Sequence, residues 1–178
     1  MNNEHIYLLE NFDWIETYMI DEVPHNDVWD NFATKKKIAL EDQYKELKMP
    51  KENSKHYMSF NPNISDELAV YLEPYKDKVH RYNFLKLTPG YNLWWHYDSY
   101  STLVHHNKMT EQQAENINRT VVMLTPWTPG QVLQIDQNAN TQWNVGDTYS
   151  WSAYTWHGVG NFSFTDFVVM QITWLDNE

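Results

Sequence analysis

From Tyr82 onward the chain is written in short apolar runs separated by turn residues, and this rhythm constrains the fold more than any other feature. Tyr82 to Leu87 leads to Pro89-Gly90, Leu93 to Asp98 follows, and Thr120 to Leu124 is closed by Pro126 and Pro129-Gly130. Val132 to Ile135, Trp143 to Val145, Thr148 to Trp151 and Phe167 to Trp174 complete the series, with Asp136 to Asn140 and Gly146-Asp147 as turns between them. Runs of this length, rich in β-branched and aromatic residues and bounded by Gly, Pro, Asn and Asp, read as strands. Several of them at regular short spacing predict an all-β sandwich or barrel. Between Ser99 and Asn118 lies a polar stretch, read as a short helix or a loop.

The first eighty or so residues have another texture. Trp29, Phe32, Ala33, Lys36, Lys37 and Leu40 recur at helical spacing towards Leu47, and Pro50 stops the pattern. Ser65 followed by Asp66 and Glu67 reads as an N-cap with an acidic first turn, opening a helix through Ala69 and Leu72 that ends near Pro74. The expected organisation is one domain over 1–178, with a helical buttress at 1–80 packed on a strand-built core at 81–178. The fold class expected is mainly β with N-terminal helices.

Composition narrows the chemistry. The formal charge of −11 argues against binding nucleic acid through its phosphates, which needs clustered Lys and Arg. Lys35, Lys36 and Lys37 form the one dense basic cluster, read as a solvated helix face. The absence of cysteine removes disulfides, thiolate metal sites and cysteine nucleophiles, and suits a reducing compartment. No apolar run is long enough to span a membrane, and Met1 to Glu10 lacks the pattern of a secretory signal. The expectations are a cytoplasmic protein, a small-molecule or peptide substrate, and neither a nucleic-acid nor a membrane partner. Most of the 9 Trp, 12 Tyr and 7 Phe are expected in the core.

Within the strand-rich half, His96 and Asp98 stand two residues apart, so on a strand their side chains share one face. His157, arriving from a distant strand, would complete a set of two histidines and one carboxylate. That set, with open positions opposite it, is the ligand pattern of non-haem Fe(II) oxygenases. A second His-x-Asp, His25-Asn26-Asp27, lies beside Pro24 in a polar segment and is read as a surface turn. His105 and His106 are adjacent, which would send them to opposite faces of a strand.

The order of elements from Leu87 to Trp174 resembles the double-stranded β-helix core of the Fe(II)/2-oxoglutarate-dependent oxygenases. The resemblance runs from Leu87-Thr88-Pro89-Gly90 through His96-x-Asp98, then Pro129-Gly130-Gln131-Val132-Leu133 and Gly146-Asp147, to Trp156-His157-Gly158-Val159-Gly160-Asn161. The last two blocks are similar to the strand pair that carries the distal histidine in prolyl-hydroxylase-like and aspartyl/asparaginyl-hydroxylase-like members. It implies a jelly-roll, cupin-like fold, Fe(II) on His96, Asp98 and His157 as the catalytic centre, and 2-oxoglutarate as co-substrate.

The chain departs from that family where most members carry a basic anchor for the far carboxylate of 2-oxoglutarate. Asp166, Phe167 and Val168 stand there, and no Lys or Arg follows Arg119. Arg119, at the start of the next strand, is the expected anchor, Lys86 the second candidate, and Tyr82 a hydrogen-bonding partner. Two rival readings stay open: a cupin-type metal oxygenase that does not use 2-oxoglutarate, and a non-catalytic jelly-roll module that binds a flat ligand on exposed aromatics.

Overall fold

A computed structural model describes residues 12–18, 51–60, 63–98 and 100–176. Among these the strands are β1 (Ile15–Tyr18), β2 (Lys55–Phe60), β3 (His80–Leu87), β4 (Asn92–His96), β5 (Ile117–Met123), β6 (Gln131–Ile135), β7 (Asn138–Asn140), β8 (Thr148–Ser152), β9 (His157–Asn161) and β10 (Phe167–Leu175). They form a six-stranded sheet in the order β1-β2-β3-β10-β5-β8 and a four-stranded sheet in the order β4-β9-β6-β7. From β3 to β10 the chain passes repeatedly between the two sheets, and every described pairing is antiparallel. This strand order is that of a jelly roll, the double-stranded β-helix expected from the sequence.

Strand alternation sets up two cores. On the large sheet Leu85 and Leu87 of β3, Val121 and Met123 of β5, and Phe167 and Val169 of β10 face inward against Leu93, Leu133 and Val159 of the small sheet. The residues between them, Phe84, Val122, Val168, Met170 and Ile172, face the other way. There they are covered by Leu68, Tyr71, Leu72 and Tyr75 from α1 (Asp66–Ala69) and the 3-10 turn Val70–Tyr75 that continues it. β10 is therefore buried on both faces, which is why it reads as a nearly unbroken apolar run rather than an alternating one.

The helix expected from Ser65 is present, with Asp66 and Glu67 in its first turn, although the Ser65 side chain makes no capping bond. The helix expected from Trp29 to Leu47 lies outside the described residues. Within the 1–80 segment expected as a helical buttress, β1 and β2 extend the large sheet, Tyr57 pairing with Lys86 and Ile15 with Met58. β2 has no β-branched residue, and its buried His56, Met58 and Ser59 break strict alternation, so it carries little strand signature. Trp143 to Val145, expected as a strand, is an irregular segment whose Trp143 is buried in the inner core. The Ser99 to Asn118 stretch holds α2 (Ser101–His106) and α3 (Glu111–Glu115), the latter opened by a capping box between Thr110 and Gln113. Leu103, Val104 and Ala114 bury against Ile117 and Leu175 in a third, smaller cluster.

The turn from β9 to β10 is held from inside. Nδ2 of the fully buried Asn161 donates to the carbonyls of Leu87 (2.7 Å) and Thr165 (2.9 Å), and its Oδ1 accepts from the Ser163 hydroxyl (2.7 Å). Facing it, Gly130 sits at φ +100°, and a Cβ there would lie 2.7 Å from the Phe162 carbonyl oxygen. Asn161→Ala should leave buried carbonyls unpaired and destabilise the fold by roughly 2–4 kcal/mol. A lower urea midpoint at unchanged slope would show it; an unmoved midpoint would mean the network does not hold this corner.

Candidate metal centre

His96 closes β4, His157 opens β9, and the antiparallel pairing sets them opposite each other. Further along the pair Leu93 lies opposite Val159, so three steps on β4 span two on β9: a β-bulge. Leu93 and His96 both line the space between the sheets, although unbroken alternation would send them to opposite faces. Gly158 permits this close approach, since a Cβ there would meet the Leu93 carbonyl oxygen at 3.1 Å and the Trp95 amide nitrogen at 3.3 Å. Trp95 and Tyr97 pack against Trp156, the two indoles nearly parallel at 15°.

Asp98 follows the end of β4 and completes the cluster. Its Oδ1 is 3.7 Å from Nε2 of His96, and its Oδ2 is 3.7 Å from Nε2 of His157. Among the described residues these three form the group of His, Asp or Glu side chains whose donor atoms all lie within 4.8 Å of one another. The hydrogen bonds around the histidines suit a divalent ion. Nδ1 of His96 donates to the carbonyl of Trp94, and Nδ1 of His157 to that of Thr155 at 2.9 Å. Each ring thus holds a proton on Nδ1, so that ligation falls to Nε2.

The charges are arranged to the same end. Burial, reinforced by the neighbouring His96, pushes the pKa of His157 down to about 4, so the ring is neutral near pH 7. Burial by itself would raise the pKa of Asp98, but the Arg119 guanidinium, His157 and His96 outweigh it and hold the carboxyl well below its ordinary range. Arg119 makes two hydrogen bonds to the same oxygen, Nε to Oδ2 at 3.1 Å and Nη2 to Oδ2 at 2.9 Å. Asp98 is thereby fixed through Oδ2, while Oδ1 stays turned towards His96.

The expected anchors for a co-substrate fall in other places. Arg119 does face inward, but its guanidinium is bonded to Asp98 beside the triad and not set apart along the interior to receive a far carboxylate. A buried guanidinium is costly to leave without a counter-charge, and Asp98 supplies it. Lys86 and Tyr82 share the parity of Phe84 and so point to the outer face of the large sheet. There Lys86 Nζ lies 4.5 Å from the Trp14 ring centroid, and Tyr82 packs edge-on to Phe84. Neither can touch a ligand at the triad. Asp166 is exposed, His106 is exposed, and His25 to Asp27 lies outside the described residues.

Behind the triad a cavity of about 30 Å³ is walled by Leu85, Leu93, Val121, Leu133, Phe167 and Val169, with the Gln171 amide as a further polar group. That volume holds about one water molecule. The sequence reading missed the Asp98–Arg119 bond and the places of Tyr100 and Trp151 beside it, contacts for which the sequence carries no local signal.

No protein-family model matches the chain, and no curated protein matches it. Solved structures similar to it include the following. A cupin domain from Bordetella pertussis Tohama I shares 20% identity over 53% of this chain and 80% of its own, with a TM-score of 0.37. A predicted oxalate decarboxylase from Thermotoga maritima shares 15% over 68% and 82%, with a TM-score of 0.42. KdgF from Halomonas sp. shares 9% over 69% and 81%, also at 0.42.

The buried neutral state of His157 makes the metal-free protein sensitive to acid. Below pH ~6.5 the unfolded chain binds a proton that folded His157, with its pKa at about 4, does not. Stability contributed by this group is complete above pH ~6.5 and is lost as pH falls towards 4, by up to about 3 kcal/mol. Denaturant midpoints of chelator-treated protein at several pH values across that window should show the decline, and His157→Gln should flatten it. An equal decline in that variant would assign the effect to other groups.

Proposed function

We propose that this chain is a non-haem Fe(II)-dependent oxygenase that binds a 2-oxo acid, 2-oxoglutarate foremost, at His96, Asp98 and His157. One observation carries the reading: two imidazoles with free Nε2 atoms and one ionised carboxylate converge on one side of a common point. Two histidines and a carboxylate on one face of an ion leave its other face for exogenous ligands. When bound, the ion supplies the redox chemistry that activates dioxygen.

The chain's own contribution is positional and electrostatic. The carbonyls of Trp94 and Thr155 orient the two rings, and Arg119 keeps Asp98 charged and immobile. The apolar wall from Leu85 to Phe167 keeps bulk water from the inner side of the site. Asp98, at 21% side-chain exposure, marks the side from which substrate arrives, compared with 8% for His157. The substrate class that fits this reading is a small molecule or a peptide side chain, and the absence of cysteine suits work in the cytoplasm.

A second reading, a cupin-type metal oxygenase that uses no oxo acid, is favoured by the engagement of Arg119 with Asp98. Anaerobic titration with Fe(II) and then 2-oxoglutarate separates the two. Wild-type protein should bind one Fe(II) and then develop the weak visible charge-transfer band of a chelated oxo acid. His96→Ala and His157→Ala should each lose stoichiometric iron. Iron binding without the band would support the second reading, and full iron occupancy in His157→Ala would sink both. A jelly-roll binding module without catalysis would show no stoichiometric metal at all.

A further inference from the structure

The two histidines stand one row in front of an apolar row. On the small sheet His96 lies opposite His157, and the next row inward is Leu93, Val159 and Leu133, again opposite one another. Across the interior, Leu85 and Val169 are paired on the large sheet, and Val121 of β5 lies one inward-facing row nearer the triad. These side chains do not meet completely. They leave the cavity of about 30 Å³, which His96 and His157 themselves line. Interiors are close-packed, and a void forfeits contact between the side chains around it.

Water is a poor occupant of this space. A buried water makes about three hydrogen bonds, and the wall has few polar groups to give. Oε1 of Gln171 already accepts from Nδ2 of Asn83 at 2.8 Å. Nδ1 of each histidine is committed to a backbone carbonyl, and each Nε2 is turned to the triad. The Trp151 indole is engaged by the Tyr100 hydroxyl. Cavities with apolar walls stay dry and take up small apolar species such as xenon.

An oxygenase has one reactant of that kind. Dioxygen is small, uncharged and apolar, and dispersion contact is what a protein can offer it. We propose that the apolar cavity behind His96 and His157 is a dioxygen site, which supplies the ion from the side opposite to solvent. The site rests on the oxygenase reading above and adds a route to it. Asp98 is the more exposed ligand and His157 the more buried one, so the gas and the substrate come from opposite sides.

The test exploits the paramagnetism of dioxygen. The whole chain, free of metal and with isotope-labelled methyl groups, is followed by NMR under nitrogen and under rising dioxygen pressure. Methyl relaxation at Leu85, Val121, Leu133 and Val169 should rise severalfold more than at Val122, Val168 and Ile172. The latter are just as buried but face the outer core, so burial alone does not separate the two sets. Val121→Ile and Val169→Ile each add one carbon to the wall and keep the β-branched shape that suits a strand. Each should weaken the effect by roughly fivefold or more, with Fe(II) affinity unchanged. In Fe(II)-loaded protein mixed with dioxygen, where each ion gives one electron to the gas, the same variants should slow loss of Fe(II) by a similar factor. Should one variant fail to fold, the other and the wild-type relaxation pattern carry the test.

Equal relaxation in the two cores overturns the proposal, and so does relaxation that persists in both variants. Variants that lose the relaxation yet oxidise Fe(II) at the wild-type rate overturn the supply role. Wild-type protein that shows the relaxation but binds no Fe(II) overturns that role through failure of the oxygenase reading itself. Fe(II) binding without selective relaxation overturns the dioxygen site alone.

Discussion

The contact between Arg119 and Asp98 determines what the rest of the interior can do. A carboxylate taken out of water between two imidazoles would bind a proton and lose its charge, because burial disfavours the ionised form. The guanidinium reverses that balance by placing a permanent positive charge 2.9 Å from Oδ2. Its two hydrogen bonds fall on one oxygen, so the other oxygen keeps its lone pairs for a cation. The neutrality of His157 is the counterpart: burial and the neighbouring His96 keep its ring uncharged. The cluster thus presents one negative charge beside the uncharged His157 ring, the state a divalent ion requires of these ligands. The pair is not a strong stabiliser of the fold, since two charges must be desolvated to make it, but losing either member would strand the other.

The jelly roll explains why such a cluster can exist at one end of a small core. Alternation on β5 sends Val121, Met123 and Arg119 to the same inner face. Val121 and Met123 pack, whereas Arg119 lies level with the end of the small sheet, where His96, Asp98 and His157 converge. One strand therefore supplies both apolar wall and cation. β10 has no such freedom. Its two faces belong to two cores, which leaves Gln171 as the polar inward residue between Val169 and Thr173. The outer core under α1 and its 3-10 continuation then fixes the large sheet from behind, where Lys86 and Tyr82 are spent on aromatic packing.

Much of the architecture was legible along the chain. The runs at Tyr82 to Leu87, Thr120 to Leu124, Val132 to Ile135, Thr148 to Trp151 and Phe167 to Trp174 all fall on strands. Their period and their turn residues reflect local sterics and burial, which do not depend on the partner strand. The strand β2 was not legible, because its buried His56, Met58 and Ser59 carry no strong strand preference and are placed by pairing with β1 and β3. The anchoring roles expected of Lys86 and Tyr82 failed on parity, since a one-residue offset from Leu85 and Leu87 is enough to turn a side chain to the other face.

What the sequence by itself determined is the set of ligating residue types and the strand grammar around them. His96, Asp98 and His157 could be singled out because metal chemistry restricts the side chains that serve it, and because the flanking runs have a period of two. Only the tertiary structure decided how they meet. The bulge between Leu93 and His96, admitted by the bare Gly158, turns the first histidine inward against simple alternation. The return of Arg119 to Asp98, and of Tyr100 and Trp151 to Arg119, joins residues from separate elements through charge and burial. Such contacts have no signature in local spacing, because they arise from which surfaces two sheets bring together and not from the propensity of any one segment.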